Sequence, residues 1–278
     1  MKTLPVLDSV IKNLILDVDD ESYDWNKEKQ KLKDLIECGA PIDRNWVINQ
    51  IEKYCNRDKS KVILDYGCGT GILNLLLLLK GYENVHGVDI VEKFNDNILR
   101  KLNFNKASFK LIKDNEKLPY EDESFDIITS SLVLEHVENI DHYYSEAARL
   151  LKPGGVCFFH FPHRLKPYDS HSRCWFVHYF PKTIRILLWN IFARQDGKYL
   201  NEYLYLRTIY SHKKCASSYF KVIENRSLHR MKGPVPVNYG GNIRLRNLVS
   251  RSANLKLIGN FIARVLSLFL SADLFLKK

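Results

Sequence analysis

Two neighbouring stretches decide the fold: Lys61-Val-Ile-Leu-Asp65-Tyr-Gly67-Cys-Gly69-Thr-Gly71 and Val85-His-Gly-Val-Asp89. Lys61–Asp65 is a short apolar run that stops at glycines, which is how a strand buried on both faces reads. The glycines permit a tight turn and close backbone approach, and the helix that follows offers unpaired N–H groups to an anion. The spacing is G-x-G-x-G, not the G-x-G-x-x-G of a dinucleotide site. The second stretch is a strand ending in Asp89, where a carboxylate can accept from both hydroxyls of a ribose. A nucleoside ligand without a pyrophosphate satisfies both features. A glycine loop alone also occurs as a simple tight turn, so Asp89 carries much of the argument.

Working outward, the pattern predicts helices over 71–80, 91–102 and 139–151, alternating with strands at 85–89, 108–112, 125–130 and 155–161. Such alternation is the mark of a mainly parallel, doubly wound sheet. Upstream, 26–37 reads as a charged helix closed by Gly39 and Pro41, and Asp43 as the N-cap of a second helix. Downstream come a helix at 181–193, a strand at 218–226, a Gly/Pro-rich loop at 233–241, a helix at 253–270 and a last strand at 272–277. On a helical wheel the 253–270 segment gathers Lys256, Asn260, Arg264, Ser267 and Ser271 into one arc and leaves a wide apolar remainder. Core packing, a dimer contact and docking on a membrane surface all fit that face.

With 45% hydrophobic and 27% charged residues, the 278-residue chain has the composition of a folded globular protein rather than a disordered or fibrous one. Its six cysteines form no C-x-x-C pair, so neither a zinc knuckle nor a dithiol centre is expected, and no metal site is read from the sequence. Reduced thiols suit a cytoplasmic location. The first residues lack the unbroken apolar run of a secretory signal. Charge is divided unevenly: residues 1–159 sum to −6 and residues 160–278 to +16. The second part also holds six of the nine histidines. Such asymmetry points to an anionic partner: a phosphate-bearing or glycan acceptor, nucleic acid, or an anionic membrane. A solvated basic surface is the plainer alternative.

The quoted stretches resemble motifs I and II of the class I S-adenosylmethionine-dependent methyltransferases. "LIKDNEKLPYEDESFDIITSSLVLEHV" and "RLLKPGGVCFFHFP" resemble the later motifs, in the family's order, so the likeness covers about 61–162. It implies a Rossmann-like, doubly wound, mainly parallel seven-stranded sheet with helices on both faces and a helical insertion after strand five. The implied organisation is 1–60 as helices covering the cofactor cleft, 61–162 as the core, 163–217 as an acceptor lid, and 218–278 completing the core. The resemblance implies S-adenosyl-L-methionine as cofactor. Asp65, Gly67, Cys68, Gly69, Thr70 and Gly71 would surround its methionine portion, Asp89 its ribose, and Ile90 its adenine. Asp114 would accept from the adenine amino group, with the Asn115 backbone nearby, and Ser131 and Leu132 would lie near the sulfonium.

Methyl transfer from a sulfonium needs alignment of donor and acceptor, and a base only where the acceptor must lose a proton. An alcohol is a weak nucleophile, which favours a nearby histidine or carboxylate. His163, at the end of strand five, is the first candidate base, followed by His136 and His171. The insertion "PHRLKPYDSHSRCWFVHYFPKTIRILLWNIFAR" mixes aromatic and basic residues that suit a sugar ring or a base beside a phosphate. By analogy with enzymes of surface-polysaccharide pathways, the expected reaction is O-methylation of a sugar or related small acceptor, with a lipid or phosphate carrier among the options. An RNA methyltransferase and a non-catalytic cofactor-binding partner protein are the rival readings.

Overall fold

The computed structural model describes residue 30, residues 45–93, 106–169, 171–192, 197–232, 244, 247–248, 251, 261, 265 and 269–278. The expected helices at 26–37, 91–102 and 253–270, and the loop at 233–241, fall wholly or largely outside them.

The described helices are α1 (Asn45–Cys55), α2 (Ile72–Leu79), α3 (Ile140–Leu150), α4 (Lys182–Phe192), α5 (Gly197–Tyr203), α6 (Ile209–Ala216) and α7 (Ser227–Lys232). The strands are β1 (Ile63–Tyr66), β2 (Val85–Asp89), β3 (Ser108–Leu111), β4 (Phe125–Ser131), β5 (Leu151–Phe161), β6 (Val222–Asn225) and β7 (Ala272–Lys277). They form one seven-stranded sheet in the order β3-β2-β1-β4-β5-β7-β6. β1 runs parallel to β2 and β4, and β2 runs parallel to β3. β6 and β7 pair antiparallel. This is the Rossmann-like arrangement expected from the sequence. Strand 218–226 is shorter than expected: Ser217 to Phe220 still close turns onto α6, and the ladder starts at Val222.

The chain divides into two compact units. The first comprises the described residues up to Thr129 together with Leu150–Val156. All four residues of β1 are buried, which is why the run carries no polar alternation. Helix α2 (Ile-Leu-Asn-Leu-Leu-Leu-Leu-Leu) buries every residue after the first. Its one polar side chain, Asn74, donates to the His86 carbonyl at 2.9 Å. Asp126 fixes the other end of this unit, accepting from the Val62 N–H at 3.0 Å and pairing with Lys152 at 2.8 Å and Lys61 at 3.3 Å.

The second unit holds Ser130–Arg149, Cys157–Val235 and the closing strand. Helix α3 turns Tyr143, Tyr144 and Ala147 inward. Glu146 and Arg149 on it form a two-pronged pair, both contacts 2.8 Å. Trp189 of α4 is fully buried in a small core with Val177, Leu200 and Leu204, which anchors the segment after β5.

Candidate functional site

In the first unit, β1 delivers Asp65 to the start of the glycine loop. The Asp65 side chain is 4% exposed and accepts from the Thr129 hydroxyl at 3.0 Å. Gly67 and Cys68 both donate their N–H groups to the Val88 carbonyl, at 2.8 and 3.0 Å, so the loop folds back over the end of β2. Gly71 then donates to the Cys68 carbonyl at 2.9 Å and serves as the N-cap of α2 with φ 73°. Gly69 lies at φ 56°, and among the described residues a Cβ there would meet nothing within 4 Å, so none of them covers the loop backbone at that point.

Asp89 is the link between the loop and the second strand. One carboxylate oxygen accepts from the Gly69 N–H at 2.7 Å and the other from the Val91 N–H at 2.9 Å. Each oxygen therefore keeps acceptor capacity beyond the backbone bond that orients it. Ile90 follows with 57% of its surface exposed. The Ile112 N–H donates to the Asp89 carbonyl at 2.9 Å, which carries the chain past β3 to Asp114 and Asn115. Those two are exposed, and the Asn115 side-chain amide donates to the Asp114 carboxylate at 3.1 Å. Thus Asp65, Gly67, Cys68, Gly69, Thr70, Gly71, Asp89 and Ile90 come together at the carboxyl ends of β1 and β2, where open α/β sheets bind ligands. Asp114 and Asn115 sit just beyond β3.

In the second unit, β4 ends at Ser131, and Leu132 takes a left-handed conformation at φ 61° with half its surface exposed. Its N–H donates to the His160 carbonyl at 2.8 Å. A bulky residue held left-handed stores backbone strain of about 1–3 kcal/mol, a cost that tends to cluster at functional turns.

The expected base His163 does not fit that role. The ring is fully buried, Nε2 donates to the Leu270 carbonyl at 2.7 Å, and Nδ1 accepts from the Leu165 N–H at 3.3 Å. Both nitrogens thus serve backbone groups, and burial drives its pKa down to about 4. His163 is a structural ring that ties the segment after β5 to the approach of β7. His212 is a second buried ring, bonded to the Tyr144 hydroxyl at 3.0 Å and driven down to about 3 by burial. Both stay neutral in the fold, whereas the unfolded chain protonates histidine near 6.5. Between about pH 6.5 and 4 the unfolded state binds more protons, so stability must fall as pH falls through that window, by up to about 3 kcal/mol for His163. Urea titrations at pH 7.5 and 5 should show the loss, and His163→Gln should flatten it. An unchanged pH slope in the variant would remove His163 as a cause.

His136 and His171 lie together, ring centroids 5.0 Å apart and edge to face. His136 Nδ1 meets the Tyr203 carbonyl at 2.7 Å, and His171 Nδ1 meets Asp169 at 3.2 Å. That Asp169 contact, the largest influence on it, raises the His171 pKa. Beside them sits Glu135, 1% exposed and pushed up to about 7 by burial. Glu135 went unread in the sequence, since nothing in "LEHV" distinguishes a buried carboxylate from a solvated one.

The sheet order, the glycine loop after β1 and the oriented carboxylate after β2 are those of a Rossmann-like domain. Residues 64–159 match the family model described as a methyltransferase domain. The chain thus carries a methyltransferase domain over well under half of its length, with S-adenosylmethionine as the cofactor. Over 151 residues it is 27% identical to a ubiquinone biosynthesis O-methyltransferase of Rickettsia bellii, covering 54% of this chain and 62% of that one. Over 160 residues it is 32% identical to the protein of the same name from Coxiella burnetii, covering 56% and 64%. The chain therefore spans less than two thirds of these relatives. Similar solved structures include an S-adenosylmethionine-dependent methyltransferase from Mesorhizobium loti, with TM-score 0.46, 18% identity and coverage of 82% and 97%. Another is a Haemonchus contortus phosphoethanolamine N-methyltransferase, with TM-score 0.48, 15% identity and coverage of 86% and 53%.

Proposed function

We propose that the protein is an O-methyltransferase that uses S-adenosylmethionine to methylate a hydroxyl of a small acceptor, a sugar or related compound joined to a lipid or phosphate carrier. One observation carries the reading most: the Asp89 carboxylate, fixed by the Gly69 and Val91 N–H groups at the carboxyl end of β2. That placement suits a vicinal diol, and a Gly69 backbone that no described residue covers suits a ligand lying on the loop. Bound S-adenosylmethionine supplies an electrophilic methyl group on a sulfonium. The residues proposed to hold it are Asp65, the Gly67–Gly71 loop, Asp89 and Ile90, with Asp114 and Asn115 at the adenine end.

The choice of oxygen as the methylated atom draws on the names of the relatives. The carrier draws on the second part of the chain. Its net charge of +16 suits a phosphate. An open groove of about 480 Å³, lined by Trp175, Phe176, Val177, Phe180 and Leu188 with Arg173 beside them, suits an apolar chain next to an anion. No helix among the described residues is long and apolar enough to cross a membrane.

Salt separates the two ligands. Screening shortens from ~10 Å at 0.1 M to ~3 Å at 1 M. The acceptor KM is expected to rise severalfold over that range while the cofactor Kd moves less than about twofold. Arg173→Gln with Lys182→Gln should imitate the effect at low salt. A flat acceptor KM in both experiments would reject the anionic carrier. The function itself is tested by incubating the protein with methyl-labelled S-adenosylmethionine and fractionated cell extract. Label on an ether oxygen of a small molecule is the expected product, and label on RNA or on nitrogen would overturn the reading.

A further inference from the structure

Glu135, His136 and His171 bring one carboxylate oxygen and two ring nitrogens to within 4.8 Å of one another, the one such convergence of His, Cys, Asp or Glu donors among the described residues. Glu135 is the telling member. Its side chain is almost wholly buried, and among the described residues neither carboxylate oxygen has a hydrogen-bond partner beyond Glu135's own backbone N–H. A buried carboxylate with so few partners is unfavourable unless it is neutralised or meets a cation. Two histidines flank it, and neither donates to it.

The orientation of those histidines is the second observation. His136 directs Nδ1 at the Tyr203 carbonyl, 2.7 Å away, and His171 directs Nδ1 at Asp169, 3.2 Å away. Ligating histidines characteristically give one ring nitrogen to a carbonyl or carboxylate, which sets the tautomer and leaves the other nitrogen to the ion. Asp169 is itself held firmly. It is 5% exposed and accepts from the N–H groups of His171 and Ser172, at 3.0 and 3.2 Å, and from the Ser172 hydroxyl. It also faces His178 Nε2 at 3.3 Å. Tyr203 is placed by its neighbour, since the Tyr205 N–H donates to the Glu135 carbonyl at 2.7 Å. The outer partners of a metal site are thus built.

We propose that Glu135, His136 and His171 bind a divalent transition-metal ion of the Zn²⁺ type, through the Glu135 carboxylate and the Nε2 atoms of the two histidines. Two imidazoles and one carboxylate are a ligand set that suits Zn²⁺ and its first-row neighbours and does not suit Mg²⁺ or Ca²⁺, which prefer oxygen. At metal–ligand distances of about 2.0–2.1 Å, tetrahedral donors stand about 3.3 Å apart, so small side-chain rotations close the site. Three protein ligands leave a coordination position for water or an incoming hydroxyl, and the exposed His136 gives access to solvent. The site goes beyond the methyl-transfer reading and does not depend on it.

Chelator-stripped full-length protein, titrated with Zn²⁺ by calorimetry, is expected to bind one equivalent tightly and to show no such binding with Mg²⁺. Co²⁺ used as a probe should give visible d–d bands of nitrogen–oxygen coordination without the near-ultraviolet thiolate band that cysteine ligation would add. Glu135→Gln keeps the shape of the side chain and is expected to weaken Zn²⁺ at least 100-fold. Asp169→Asn, which touches only the outer shell, should weaken it about 10–100-fold. Circular dichroism confirms that each variant is folded. If wild-type protein binds no Zn²⁺, or Glu135→Gln binds it as tightly as wild type, or the Co²⁺ spectrum is that of a thiolate site, the proposal fails. Each of these readouts is independent of methyl transfer.

Discussion

Asp89→Ala is expected to weaken S-adenosylmethionine binding by about 2–4 kcal/mol, the range for losing a carboxylate that accepts charge-assisted bonds from two hydroxyls. In Kd this is roughly 30- to 1000-fold. Part of the loss comes through the loop, because the same carboxylate fixes the Gly69 N–H at 2.7 Å. Asp89→Asn separates the two contributions. Its single carbonyl oxygen can still accept from the loop while the charge and the second acceptor are gone, so an intermediate loss is expected. Calorimetry on both variants reads this directly. Unchanged affinity in folded Asp89→Ala would take Asp89 out of the site.

Gly71→Ala should destabilise the fold by about 2–5 kcal/mol. The backbone there is left-handed at φ 73°, which costs an alanine about 1–2 kcal/mol. The added Cβ would also lie 2.5 Å from the Phe109 ring, and overpacking adds about 1–3 kcal/mol. Gly81→Ala is the internal comparison. Its φ is 89° but a Cβ would meet nothing within 4 Å, so only the backbone cost of about 1–2 kcal/mol should appear. Phe109→Leu in the Gly71→Ala background should recover the steric part and leave the conformational part. Urea unfolding measures all four proteins. Equal losses at Gly71 and Gly81 would show that Phe109 yields freely, and that the glycine is needed for its backbone alone.

What the sequence discloses and what it hides follow from the range of the interactions. The glycine loop is legible because strand, turn and helix are consecutive, and each demands a residue type: apolar residues in β1, glycines at the turn, leucines through α2. The position of Asp89 is legible because the strand it ends has a clear local pattern. The structural role of His163 is not legible, because its decisive partner is the carbonyl of Leu270, 107 positions away, and no local pattern records that bond. The same reason hid Glu135, whose burial comes from packing rather than from its neighbours in sequence, and the pairing of Tyr144 with His212 across 68 positions. Helix α5 is not legible, because Gly-Lys-Tyr-Leu-Asn-Glu-Tyr has no strong helical period, and Leu200 is its described contribution to the Trp189 core.

Binding of S-adenosylmethionine is the event on which the proposed methyl transfer depends, and calorimetric titration of the purified protein tests it most directly. The proposed function predicts saturable binding of one equivalent, competed by S-adenosylhomocysteine and not by a dinucleotide, since the G-x-G-x-G loop lacks the pyrophosphate spacing. No detectable heat with either sulfur nucleoside, or binding that a dinucleotide displaces, would contradict it.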